Sequence, residues 1–218
     1  METTVDKLLN GRPIFHATPI HYLPLILEAR ELRCQRIVGY EMARRTARRR
    51  DRQLAVDHYV HFSLKQESPL LNHKLEKGFP HAVLRFNTNS FSGIPWSILP
   101  CSTKAWRSKW QCQPVSGRAE MERILQRYDS RARFPGLEIL VRGLLSLTHL
   151  AEIITFSDIE AELVRKLCLS IGVVSCPVTV SRSNVENYSP INIDEIREYF
   201  AVCCALREAL PPPNLPFD

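Results

Sequence analysis

The alternation of apolar and polar positions along the chain predicts short strands separated by blocks of helix. Apolar, β-branched runs predict strands over residues 14–16, 59–63, 81–86, 137–141, 153–156 and 177–181. Apolar positions at helical spacing predict helices over 23–29, 120–128, 158–168 and 194–209, and an arginine-rich helix from about 41 to 52. Short strands with helices grouped between them favour an α+β domain with a mixed or antiparallel sheet.

The nucleotide-binding folds with simple sequence fingerprints find no support. The chain has no regular strand–helix–strand cadence and lacks both G-x-G-x-x-G and G-x-x-x-x-G-K-S/T, so neither a doubly wound fold nor a P-loop is indicated. We expect one domain over residues 10–188, followed by a C-terminal helix and proline-rich tail over 189–218.

The segment from Ile14 to Leu27 is the first candidate for a functional site. It carries His16 and Thr18 on a short apolar strand into a turn that opens a predicted helix. A strand followed by a helix start fixes side chains and unpaired backbone N–H groups at one point on the surface. Such helix starts favour anionic ligands, for example a pyrophosphate.

Glu138 is the second candidate, because it lies in a predicted strand among Leu137, Ile139, Leu140 and Val141. Burying an unpaired carboxylate is costly, so this residue needs either partners or a chemical role. The alternative is that Glu138 lies on an exposed face of the sheet, which the alternation of strand positions also allows.

Positive charge is concentrated in two places. The net charge is +6, and one group of arginines lies within twenty residues: Arg33, Arg36, Arg44, Arg45, Arg48, Arg49, Arg50 and Arg52. A polyanionic partner and a solvated helix face both explain such a cluster. The second group mixes cations with aromatic rings: Lys104, Trp106, Arg107, Lys109 and Trp110. Aromatic faces beside cations suit unpaired bases, although a structural role for the tryptophans stays open.

Other chemistries find little support. The histidines do not fall at metal-ligand spacing with acids or thiols, so we expect no metal. Seven cysteines without a C-x-x-C pair favour reduced thiols over a disulfide framework. No apolar run is long enough to cross a bilayer, and the first residues lack the pattern of a secretion signal. We therefore expect a cytoplasmic protein without a membrane partner.

Taken in order, these segments resemble the DarT family of NAD-dependent DNA ADP-ribosyltransferases. The resemblance is carried by residues 14–18, 22–27, 37–41 before the arginine-rich stretch, 59–62 with Ser68-Pro69 after them, and 137–141. It covers most of residues 14–188 and depends on the order and spacing of these short motifs. The chain has Tyr22 where the family commonly has Asn, and His61 where it commonly has Pro.

The resemblance implies an ADP-ribosyltransferase-like split sheet, antiparallel or mixed, with surrounding helices. It implies NAD as co-substrate, with His16 and Thr18 helping to hold it, an arginine of the basic helix contacting it, and Glu138 as the catalytic acid. The candidates beside Glu138 for catalysis are Arg44, Arg45 and Arg48, and the further candidates for cofactor contact are Tyr22, Tyr59 and Arg49. Tyr59 could stack on nicotinamide or simply belong to the core.

The same resemblance implies transfer of ADP-ribose to a base of single-stranded DNA, with the residues from Lys104 to Trp110 contacting the strand. A carboxylate suits this chemistry because it stabilises an oxocarbenium-like ribose and can take a proton from the acceptor. In bacterial relatives this activity is a toxin controlled by a macrodomain antitoxin, DarG. Transfer to RNA or protein is one alternative. A non-catalytic nucleic-acid-binding module on the same fold, suggested by Tyr22 and His61, is another.

Overall fold

The computed structural model describes residues 8–9, 11–38, 55–88, 93–101, 113–130, 136–173, 175–181, 185 and 187–209. The predicted arginine-rich helix and the basic–aromatic segment lie outside these residues. The site candidates outside them are Arg44, Arg45, Arg48, Arg49, Lys104, Trp106, Arg107, Lys109 and Trp110. The roles assigned to these residues stay predictions.

Most strands of the described residues belong to one sheet. They are β1 (Ile14–Pro19), β2 (Glu31–Arg33), β3 (Tyr59–Ser63), β4 (His81–Phe86), β5 (Trp96–Leu99), β6 (Glu138–Arg142), β7 (Leu144–Ser146), β8 (Leu150–Thr155) and β9 (Val178–Val180). Seven of them pair in the order β5-β6-β3-β1-β4-β8-β9, while β2 pairs with β7 separately. All neighbours in the larger sheet are antiparallel except β8 and β9, which are parallel.

The helices of the described residues pack around this sheet. They are α1 (Leu23–Ala29), α2 (Gln35–Val38), α3 (Pro69–Glu76), α4 (Arg118–Ser130), α5 (Asp158–Ile171) and α6 (Ile193–Ala209), with 3₁₀ turns at Ile20–Tyr22 and Leu147–His149. Local sequence explains the ends of α5, because Ser157 accepts a hydrogen bond from Glu160 N and Gly172 closes the helix at φ 73°. None of the helices in the described ranges is long and apolar enough to cross a membrane.

The larger sheet is joined unevenly at its centre. β1 pairs with β4 over six residue pairs, but with β3 at Phe15 and Ser63 alone. β3 in turn pairs with β6 over five residue pairs. The sheet therefore has two well-paired parts, β5-β6-β3 and β1-β4-β8-β9, connected at one point. This architecture confirms the predicted α+β class and the split sheet.

The two faces of the sheet have different roles. Phe62, Ile139 and Ile153 point into the main core, where they pack with residues of α1, α5 and α6. Side chains alternate between faces along a strand, so His61 and Glu138 lie on the opposite face from Phe62 and Ile139. The main core therefore covers the face that carries Phe62 and His16, whereas His61 and Glu138 lie on the other face, next to Phe15.

Several predicted strands and helices match the structure, and the structure also contains elements that the sequence pattern did not predict. The strands over 59–63 and 81–86 and the helix over 23–29 have the predicted bounds. β5 and α3 were not predicted, nor was the pairing of β2 with β7. α6 contributes Ile196 and Phe200 to the main core. The domain boundary after residue 188 stays a prediction.

The cysteine prediction is wrong at one residue. Cys101, which follows β5, is disulfide-bonded, whereas five other cysteines are free thiols: Cys34, Cys168, Cys176, Cys203 and Cys204. Spacing along the chain does not report how closely two cysteines approach in the fold, and that approach decides whether a disulfide forms.

Candidate active site

His16 lies where the two parts of the sheet separate. It follows Phe15, the residue of β1 that pairs with β3. Its Nδ1 donates to the backbone carbonyl oxygen of His61 at 2.8 Å. In a continuing antiparallel ladder, that oxygen would accept the backbone N–H of Ala17. The His16 imidazole therefore occupies an acceptor that the sheet would otherwise use.

The backbone of Ala17 faces the opening between β1 and β3. The backbone N–H of Ile20, just after β1, donates to Pro80 O on the β4 side. Along an antiparallel pair, every second residue makes such hydrogen bonds to the same neighbour, so the even-numbered residues of β1 direct their backbone groups toward β4. The N–H and C=O of Ala17 consequently point toward β3. Ala17 is exposed. The opening thus presents a strand edge with one donor and one acceptor side by side, the complement of a carboxamide.

His16 is a neutral imidazole at physiological pH. Burial lowers the pKa of His16 to about 4 although part of its surface reaches solvent, and positive charge on His61 adds to that lowering. A carbonyl oxygen only accepts, so the proton of the neutral ring is on Nδ1. Nε2 is therefore an acceptor, suited to a hydroxyl group of a ligand.

Glu138 lies at the start of β6, opposite Ser63 of β3. Its Oε2 is 2.7 Å from Nδ1 of His61. The side chains of His61 and Glu138 are 22% and 21% exposed, so both are reached from solvent without being freely solvated. Glu138 is thus neither an unpaired buried carboxylate nor a solvated residue on an open sheet face.

The contacts of His61 determine how many protons the His61–Glu138 pair holds. Nε2 of His61 is 3.0 Å from the carbonyl oxygen of Val56, which only accepts, so Nε2 carries a proton. The 2.7 Å contact between Nδ1 and Oε2 requires a second proton, because two lone pairs at that distance repel. That proton is shared between Nδ1 of His61 and Oε2 of Glu138.

His61 therefore links β1 and β6: its backbone oxygen accepts from His16 and its ring contacts Glu138. His16 and Glu138 are both predicted from the sequence, and both contact His61, His16 at its backbone oxygen and Glu138 at its ring. His61 was noted only as a departure from a family pattern. The alternation of polar and apolar residues in 59–63 places it on the polar face of β3, which is the signal that could have identified it.

The other described candidates lie on β1, on β3 and in the turn that follows β1. Tyr59 is on the same face of β3 as His61 and packs against a small apolar cluster containing Leu140. Thr18 is buried and shares a face of β1 with His16. Tyr22 ends the 3₁₀ turn that follows β1, and its ring lies against His21 at 4.2 Å between centroids.

The predicted anion site at the helix start stays a prediction. The 3₁₀ turn runs directly into α1, so the first helical N–H, that of Leu23, already donates to Ile20 O. Across the described ranges, no three His, Cys, Asp or Glu side chains are grouped so that they could hold a metal ion.

Comparison with solved structures places the fold. Thermus sp. 2.9 DarT in complex with ADP-ribosylated ssDNA matches with a TM-score of 0.64 at 15% identity, over 81% of this chain and 96% of that chain. The same protein in complex with NAD⁺ matches with a TM-score of 0.61 at 16% identity, over 79% of this chain and 96% of that chain. Thermosipho africanus DarTG in complex with ADP-ribose matches with a TM-score of 0.57 at 13% identity, over 78% of this chain and 50% of that chain.

Sequence comparison alone finds no such neighbours, since the chain matches no family model and no curated protein. The similarity to solved structures nevertheless extends over most of the chain. The protein has a DarT-like fold, which confirms the predicted resemblance at the level of the fold.

Proposed function

We propose, from this DarT-like fold, that the protein is an NAD-dependent ADP-ribosyltransferase that modifies a base of single-stranded DNA. The observation that carries the proposal is the pair of contacts that His61 makes at the split of the sheet, from its backbone oxygen to His16 and from its ring to Glu138. Structural neighbours with the same fold bind NAD⁺ and ADP-ribosylated single-stranded DNA. The activity is therefore argued from the geometry of the opening and from the ligands of those neighbours.

NAD fits the opening between β1 and β3. The unprotonated Nε2 of His16 accepts from a ribose hydroxyl, and the strand edge at Ala17 complements the carboxamide of nicotinamide. Thr18, Tyr22 and Tyr59 are the proposed further contacts, with Tyr59 offering an aromatic face on the side of the sheet that carries Glu138.

The reaction needs a negative charge beside the ribose, and Glu138 supplies it. The bond between ribose C1′ and nicotinamide N1 breaks, and its electron pair stays on the nicotinamide nitrogen. Positive charge then develops on the ribose, as in glycoside hydrolysis, and a nearby carboxylate stabilises it. A nitrogen of the acceptor base forms the new bond to C1′ and gives its proton to Glu138.

The basic residues of the chain are the proposed contacts to the pyrophosphate and to DNA. An arginine among Arg44, Arg45, Arg48 and Arg49 would neutralise the pyrophosphate, because a guanidinium binds phosphate oxygens in a fixed fork. The residues from Lys104 to Trp110 would contact the strand through stacking and charge. A macrodomain antitoxin is the proposed protein partner, which the DarTG neighbour supports, and the protein would then act as a toxin in the cytoplasm.

Labelled NAD tests the function directly. The protein is incubated with NAD carrying ³²P in the adenylate phosphate, together with a single-stranded oligonucleotide, its duplex, RNA of the same sequence, or a protein mixture. We expect label on single-stranded DNA alone, with one nicotinamide released for each ADP-ribose attached. Label on RNA or protein would contradict the choice of acceptor. Salt-sensitive strand binding without label would instead identify a non-catalytic binding module.

A further inference from the structure

We propose that His61 is a positioning residue for Glu138, holding one carboxylate oxygen so that the other is presented to the ribose and to the acceptor. This inference rests on the proposed function and assigns a role to a residue that the resemblance did not. Three observations support it: the way His61 is anchored, the partners of the two carboxylate oxygens, and the charges around the ring.

The His61 ring is anchored at both nitrogens and through its own backbone. Nε2 donates to Val56 O at 3.0 Å, Nδ1 contacts Oε2 of Glu138 at 2.7 Å, and the backbone carbonyl accepts from His16. A ring held at two opposite edges cannot rotate without losing both bonds. The orientation of Glu138 is therefore fixed by β3 as well as by its own strand.

The two oxygens of Glu138 have different surroundings. Oε2 is occupied by His61, whereas the structure gives Oε1 no hydrogen-bond partner within the described ranges. A carboxylate with one oxygen held and one available can accept from a ligand hydroxyl without first breaking an internal bond. Preorganised groups of this kind lower the barrier because no reorganisation is needed during reaction.

Glu138 is the acid in direct contact with His61. Asp57, in the segment before β3, lies with its Oδ1 3.9 Å from Nδ1 of His58. Tyr59 lies on the same face of β3 as His61, and the neutral His16 contacts the backbone oxygen of His61. Loss of the shared proton at high pH would leave two lone pairs in contact and release Glu138 from His61. We therefore expect transferase activity to fall on the alkaline side as this proton is lost.

Two substitutions separate positioning from bulk structure. The side-chain amide of His61→Asn has its nitrogen near the position of Nδ1, so it can donate to Oε2 but does not titrate. The amide of His61→Gln reaches instead toward Val56 O and leaves Oε2 unheld. His73→Asn, on the exposed face of α3, is the matched control.

The expected results differ between the variants. His61→Gln should lower kcat by about 100-fold with KM for NAD within about threefold, because misorientation affects the reacting geometry more than binding. His61→Asn should keep kcat within about tenfold of wild type and lose the alkaline decline, while His73→Asn changes neither. An unchanged kcat in His61→Gln would overturn the proposal. Equal losses in both His61 variants with an unchanged pH profile would overturn it too.

A measurement without turnover keeps this proposal distinct from the proposed function. In ¹⁵N NMR of the full chain, with the His61 signals assigned by comparison with His61→Asn, the pH at which the ring loses its second proton is compared between wild type and Glu138→Gln. We expect this midpoint to be higher in wild type, because a carboxylate stabilises the imidazolium and an amide does not. Equal midpoints would overturn the pairing even if transfer occurs. A raised midpoint in a protein without transferase activity would leave the pairing intact and refute the function instead.

Discussion

At His16, a side chain takes over a hydrogen bond that the backbone of a continuous sheet would have made. The residue could be selected from the sequence because it follows an apolar strand and precedes a helix start. Its partner could not, since His61 is 45 positions away along the chain and contributes a carbonyl oxygen that every residue type possesses. Glu138 was selected for a local reason as well, its place in an apolar strand, whereas its contact with His61 spans 77 positions.

The first prediction at this scale concerns Glu138. Glu138→Gln should lower kcat by about 10²–10⁴-fold, since the amide neither stabilises positive charge on the ribose nor accepts the proton of the acceptor. NAD affinity and the free energy of unfolding should change little, because the amide preserves shape and can still hydrogen-bond His61. Nicotinamide release, calorimetric titration with NAD and urea denaturation measure the three quantities.

Glu76→Gln, an exposed substitution on α3, is the matched control for Glu138→Gln and should leave all three quantities unchanged. A Glu138→Gln enzyme that keeps wild-type turnover would remove Glu138 from the chemistry. Lost stability with residual turnover would indicate a structural role.

The second prediction concerns His16 and pH. The pKa of His16 is lowered from 6.5 to about 4 on folding, so between these values the unfolded chain binds more protons than the folded protein. The free energy of unfolding should therefore decrease as pH falls from about 6.5 to 4, by up to about 3 kcal/mol from this residue. Urea denaturation at several pH values measures the dependence. His16→Asn should flatten it, leaving the part that comes from His81 and His149, whose pKa values are also lowered by burial.

His73→Asn is the control for His16→Asn, because His73 is half exposed on α3. An unaltered pH dependence in His16→Asn would contradict the neutral, buried state described for this imidazole.

At the scale of elements, the bounds of a strand could be predicted where its own residues form a clear apolar, β-branched or aromatic pattern. β3 and β4 are apolar and rich in β-branched or aromatic residues, and their bounds were predicted from the pattern. β2 and β7 have three residues each and form because they pair with one another, which no local window reports. The single point of pairing between β1 and β3 is likewise a property of two distant segments.

The start of α5 offers a test at this scale. Glu160 is buried, and its carboxylate accepts from Phe156 N, Ser157 Oγ and Tyr188 Oη, with the last at 2.7 Å. Burial raises the pKa of Glu160 in spite of these donors. Tyr188→Phe should destabilise the protein by about 1–2 kcal/mol in urea denaturation, because one buried oxygen of Glu160 loses its donor.

Tyr199→Phe, on the exposed side of α6, is the matched control and should unfold within about 0.5 kcal/mol of wild type. Equal stabilities of Tyr188→Phe and Tyr199→Phe would show that the Tyr188 hydroxyl does not support this helix start.

At the scale of the whole molecule, charge and aromatic content predict a partner rather than a fold. Neither the net charge of +6 nor the two basic clusters influences how the strands are ordered, and the DarT-like arrangement follows from the apolar pattern. The order of weak motifs predicted that arrangement because order and spacing reflect the whole fold. The acceptor of ADP-ribose could not be predicted in the same way. The candidate contacts to the DNA strand depend on side chains whose positions the apolar pattern does not specify.

The last prediction concerns the strand. Replacing Trp106 and Trp110 with Ala should weaken binding of a single-stranded oligonucleotide by about 1–3 kcal/mol for each stacked base, while NAD affinity stays unchanged. Fluorescence anisotropy of a labelled oligonucleotide in the Glu138→Gln background measures strand affinity without turnover. Unchanged affinity would exclude both tryptophans from the interface, and a parallel loss of NAD binding would point to a folding defect.

The incomplete junction between β1 and β3 has a consequence for the proposed catalytic cycle. A dinucleotide seated there would satisfy the amide and carbonyl of Ala17 that β3 leaves unmet, so the reactant itself would complete the architecture of the protein. Cleavage would divide that insert into two smaller molecules, each retaining only part of the contacts. In this cycle the protein would be most rigid just before reaction and would loosen as nicotinamide departs. That loosening would favour release of the products.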